Sequence, residues 1–80
     1  MKITLQSPIA IYSEPVAVKM HTAIDGHYWD VTGEYDIRTN VFTPQMVESF
    51  TIEQFANDSG ADLDEIVAKL QNIFTKNRGW

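Results

Sequence analysis

The chain has 80 residues, 44% of them hydrophobic, no cysteine, and a formal net charge of −5. That length makes one domain, 1–80, near the lower limit at which a core sustains itself, and the missing cysteines exclude disulfides and thiolate metal sites. The acidic balance argues against direct binding to nucleic-acid phosphates, and no apolar run reaches membrane-spanning length.

The start, Met1-Lys2-Ile3-Thr4-Leu5, goes straight into alternation and lacks the apolar run of a signal peptide. The expected address is therefore cytoplasmic. Ile3 and Leu5 share one face. Ser7-Pro8 interrupts the alternation, Ile9-Ala10-Ile11-Tyr12 resumes it, and Glu14-Pro15 closes it. Proline here predicts an edge strand with a bulge or bend, either one bent strand or two short ones.

Val16–Ile37 reads as one long hairpin. Asp25-Gly26 sits between two alternating runs, and both residue types tolerate the positive φ that a two-residue type I′ turn needs. The turn fixes the register. Ile24 faces His27, Thr22 faces Trp29, Met20 faces Val31, Val18 faces Gly33, and Val16 faces Tyr35, giving an apolar face. The other face pairs Ala23 with Tyr28, His21 with Asp30, Lys19 with Thr32, and Ala17 with Glu34. A slip of one residue would mix the two. Gly33 marks either a bulge or bare backbone beneath a ring such as Tyr35.

Thr43-Pro44 has the form of a helix start, with threonine as cap and proline at the first turn. Met46, Val47 and Phe50 fall on one side of a helical wheel, and Ile52, Phe55 and Ala56 on the other. A break resolves the conflict: a short helix over 44–49, then a second over 52–58 capped by Thr51 and Gln54 and stopped by Gly60. The last helix carries Leu63, Ile66, Val67, Leu70, Ile73 and Phe74 as one stripe. Asp62 and Glu65 form its cap pair, and Glu65 and Lys69 an i, i+4 pair. Lys76 and Arg78 suit its negative end. Trp80 either folds back or meets a partner.

The expected fold is α+β: an N-terminal antiparallel sheet of three to four strands with a long hairpin, packed against two or three C-terminal helices. Trp29, Val31, Val18, Met20, Leu63, Ile66, Val67 and Leu70 should form the core.

Few residues carry chemistry. His21 with Asp30 is either a base with its orienting carboxylate or a cross-strand polar pair, and no nucleophile or oxyanion donor is implied nearby. His27 points to the other face from His21, which argues against a shared metal site. The spacing of Asp58, Asp62 and Asp64 does not fit a calcium loop, because the twelfth position counted from Asp58 is Lys69. No phosphate-loop, dinucleotide or zinc pattern is present. No enzyme, cofactor or metal is expected.

From Glu48 to Glu65 the chain carries Glu48, Glu53, Asp58, Asp62, Asp64 and Glu65 and no base. Such a block is solvated surface unless a partner uses it. The leading expectation is a non-enzymatic protein-binding module, monomeric or homodimeric, of the adaptor or inhibitor kind that phages and mobile elements encode. Asp58, Asp62, Asp64, Glu65, Asp30, Glu34, Asp36 and Trp80 are its candidate partner-binding residues. In the sharper version the acids of 48–65, with Asp30, Glu34 and Asp36, imitate nucleic-acid phosphates and block a basic groove. The alternative is a DNA-binding regulator. Residues 51–70 have a helix-turn-helix outline, with Lys69, Lys76 and Arg78 on phosphates. The would-be recognition helix, however, opens Asp62-Leu63-Asp64-Glu65, where bases and phosphates would meet carboxylates.

Overall fold

A computed structural model describes residues 1–11 and 16–77. The chain runs β1 (Ile3–Leu5), β2 (Ala10–Ile11), β3 (Val16–Ile24), β4 (His27–Asp36), β5 (Val41–Val47), β6 (Phe50–Thr51), α1 (Ile52–Ser59) and α2 (Leu63–Asn77). β1 and β2 both pair antiparallel with β3, at Thr22–Ile24 and at Val18–Lys19. They share one lane, as a single strand bent at Ser7-Pro8 would. Beyond it the order is β3, β4, β5, β6. The antiparallel sheet is thus five strands wide, not three to four, and two helices follow it.

The hairpin forms with the register that its turn predicts at every pair from Ile24↔His27 to Val16↔Tyr35. Asp25 and Gly26 both have positive φ, 50° and 87°, as a type I′ turn requires. The Lys2 N–H donates to Asp25 Oδ1 at 2.7 Å and ties the turn to the start of β1.

The expected helix over 44–49 is absent. Those residues complete β5 and a two-residue turn, Glu48-Ser49, into β6. Proline survives in this strand for two local reasons. The β4–β5 register shifts between Thr32 and Gly33, so Gln45 is an extra residue on β5 beside Pro44. Pro44 also pairs with Gly33, at a position where β4 bonds to β3 rather than to β5. Its missing N–H therefore faces the free edge and breaks no ladder bond. On that edge, the Gln71 side chain of α2 donates to the Phe42 carbonyl at 3.0 Å.

At Gly33 the backbone of β5 comes close to β4. A Cβ there would lie 2.2 Å from the Thr43 carbonyl oxygen and 2.9 Å from Phe42 Cε1. The bulge is one of the two options expected at this glycine; the ring over bare backbone belongs to Phe42 rather than Tyr35.

One face of the sheet is covered by the helices. Val18, Met20, Ile24, Val31, Tyr35, Phe42 and Val47 from the strands meet Ile52, Phe55, Ala56, Ile66, Leu70 and Phe74 from the helices. Burying this apolar surface is the main driving term of the fold. Trp29, Leu63 and Val67, expected in the core, are only partly buried against its margin. Thr22, the one polar residue fully buried among the described residues, donates to the Trp29 carbonyl at 2.8 Å, so its burial is compensated. The hydroxyl of half-buried Ser7 is itself buried and has no partner among the described residues.

Thr51 opens α1 as its capping pattern predicts. Its hydroxyl accepts the Gln54 N–H at 3.2 Å, and Gln54 Oε1 accepts the Thr51 N–H at 3.1 Å. Gly60 closes the helix at φ 67°, with the Ala61 N–H on the Ala56 carbonyl. Thr51→Ala should lower stability by about 1 kcal/mol, read as a shift of the urea midpoint at unchanged slope; an unmoved midpoint would show that the cap is idle.

Candidate functional site

β4 turns alternate residues away from the helices, and Asp30, Glu34 and Asp36 lie on that outer face. Asp30 is held from several sides. His21 Nδ1 lies 2.5 Å from Asp30 Oδ1, and Lys19 Nζ lies 3.6 Å from Oδ2. The Asp30 backbone N–H donates to Glu48 Oε1 at 3.0 Å, and the Glu48 N–H returns to the Asp30 carbonyl. Asp36 accepts the Arg38 N–H at 2.8 Å and lies 3.8 Å from Arg38 Nε. Two of the three acids on this face therefore have counter-charges beside them. His21 and Asp30 do meet, as expected, but among the described residues no hydroxyl is hydrogen-bonded to His21. The pair is a cross-strand contact extended by Lys19.

The second group of acids stands in the helix layer. Asp58, Asp62, Asp64 and Glu65 are all exposed around the short link between α1 and α2. Asp62 caps α2, accepting the Asp64 N–H at 3.0 Å. Glu65 does not join that cap; it binds Lys69 Nζ at 3.0 Å. This bond holds the Glu65 carboxyl below its ordinary range and the Lys69 ammonium above its own. Lys69 Nζ also donates to the Met1 carbonyl. Among the described residues, no ion pair involves Asp58, Asp62 or Asp64. The sheet separates these four acids from Asp30, Glu34 and Asp36, so the set expected from sequence is two surfaces. Trp80 and Arg78 lie outside the described residues.

A feature with no clear signal in the sequence sits at the turn end of the hairpin. Met1, Ile24, Asp25, His27, Trp29, Phe55 and Ser59 line an open cleft of about 190 Å³. Trp29 and Phe55 meet edge to face, with centroids 5.4 Å apart and planes at 73°. Asp25, His27 and Trp29 advertise only a turn in the sequence. It takes the folding of α1 across the sheet to bring Phe55 and Ser59 to them.

Among the described residues, no group of three or more His, Asp or Glu is placed to share a metal ion, and no helix is long and apolar enough to cross a membrane. Comparison with family models, curated proteins and solved structures gives no match to this chain.

Proposed function

We propose that the chain is a non-enzymatic protein-binding module that meets a basic surface of its partner with the acidic corner between α1 and α2. The supporting observation is the contrast between the two groups of acids. Asp58, Asp62 and Asp64 are exposed and outside any ion pair among the described residues, whereas Asp30 and Asp36 are partnered by Lys19, His21 and Arg38. Uncompensated charge at one end of a small molecule steers a basic partner and sets its orientation. An adaptor and an inhibitor both fit; in the inhibitor form the carboxylates stand where phosphates would lie in a basic groove.

The test is Asp64→Lys. Asp64 is preferable to Asp62, whose cap would mix stability with binding. A partner captured by the wild-type chain should bind the variant about ten-fold more weakly at low salt, with the difference shrinking at high salt. Stability should move by no more than about 0.5 kcal/mol. Unchanged affinity and salt dependence would make the corner plain solubilising surface. Gain of sequence-dependent binding to duplex DNA would put the helix-turn-helix reading in its place. That reading has less support: Asp64 and Glu65 occupy the first turn of α2, and Lys69 is already engaged by Glu65 and Met1.

A further inference from the structure

We infer that the cleft between Trp29 and Phe55 is an anchor pocket for one aromatic or branched aliphatic side chain, presented by a partner segment with basic flanks. The inference rests on the protein-binding reading above and gives that reading a specific ligand chemistry.

Size comes first. At about 190 Å³ the cleft falls below the roughly 300–1,000 Å³ of sites that enclose a small molecule. It suits a single side chain. Its walls are apolar where such a group would sit: Ile24, Met1 and two rings at nearly right angles. A third ring entering there meets one face and one edge, the arrangement aromatic side chains prefer. Trp29 is only half-buried despite its size, and large half-buried aromatics at the floor of a pocket are where interfaces concentrate their energy.

The setting supplies the flanks. Asp25 and Ser59 form part of the lining. Ser59 follows Asp58 in the last turn of α1. Asp25 is also close enough to α2 to help hold the Lys69 ammonium in its charged form, after the larger effect of Glu65. The cleft therefore carries the Asp25 carboxylate in its lining and, beside Ser59, lies next in sequence to Asp58 of the corner. Lys69 is already bound to Glu65 and the Met1 carbonyl. The walls are also fixed in advance. The Asp25-Gly26 turn is tied to Lys2, and the end of α1 is locked by Gly60. Little ordering remains for binding to impose.

The experiment titrates three capped pentapeptides into isotopically labelled full-length protein, followed by NMR. One is Lys-Lys-Phe-Lys-Lys, one has alanine at its centre, and one keeps the phenylalanine between glutamates. The basic phenylalanine peptide should shift the Trp29 indole, Phe55 and His27 signals. It should bind about ten-fold more tightly than either control, as expected of an anchor side chain. Ser59→Trp, which places a ring at the mouth on an exposed position, should remove that advantage while leaving weak binding of both basic peptides. Equal binding of the phenylalanine and alanine basic peptides, with shifts confined to Asp58 and Asp64, would overturn the pocket and leave the acidic surface standing. Equal binding of phenylalanine peptides with either flank, both in the cleft, would overturn the basic-flank assignment and with it the acidic-corner reading. No shift with any peptide would overturn both. Asp25→Asn keeps the turn chemistry and serves as the second variant: it should weaken only the basic peptides, and an unchanged affinity would count against the flanks.

Discussion

Gly33→Ala should lower stability by about 3 kcal/mol or more, at the top of the range for overpacking. The added methyl would stand 2.2 Å from the Thr43 carbonyl oxygen, 2.8 Å from Pro44 Cα and 2.9 Å from Phe42 Cε1. Two of those three atoms are backbone of the neighbouring strand, so no rotamer change relieves the clash. β5 must retreat from β4, next to the bulge beside Pro44. Gly26→Ala supplies the control. That site has open space but a φ of 87°, so its cost is conformational and should be about 1 kcal/mol. Urea midpoints of the two variants should therefore differ clearly. If Gly33→Ala is the milder of the two, the close approach of β5 is wrong.

Phe74→Ala should be still more damaging, about 3–5 kcal/mol. Phe74 stacks on Phe42 at 4.8 Å and lies 5.0 Å from Tyr35 at a tilt. One ring from α2 thus packs on rings from both β5 and β4. Truncation leaves a cavity where all three elements meet, with Tyr35 and Phe42 on its wall. Domains of this length hold only about 4–12 kcal/mol in total. The variant should already be partly unfolded in water at room temperature by circular dichroism. Phe74→Leu, which keeps most of the volume, should retain a cooperative transition. Equal stability of Phe74→Ala and Phe74→Leu would rule out a central role for the ring.

What is legible in the sequence is local. A two-residue turn at Asp25-Gly26 dictates the whole β3–β4 register, and Thr51, Gln54 and Gly60 mark α1 within their own neighbourhood. β5 defeats a local reading because its decisive partner is distant. Thr43-Pro44 fits a helix start and an edge strand equally well, and Gly33, eleven positions before Pro44, decides between them. The extra residue at Gln45 also breaks the alternation after Phe42 and Pro44, so the window shows no clean strand period. The same limit applies to the sites. Exposed acids are recognisable one by one. Their division into two surfaces depends on which layer each element joins, and the cleft depends on Phe55 reaching Trp29 across the sheet.

The two margins of the sheet are chemically unequal, and this bears on how copies of the chain can stack. Along β5, Pro44 offers no N–H and the Phe42 carbonyl is occupied by Gln71, so an incoming strand finds few groups to bond. Along β1 the alternation of bonded pairs, with the Asp25 N–H on Lys2 and the Gln6 N–H on His21, turns the amides and carbonyls of Ile3 and Leu5 away from β3. An endless cross-β filament requires each copy to give one receptive margin and accept another. With a single receptive margin among the described residues, growth by strand addition would end once two copies met edge to edge along β1.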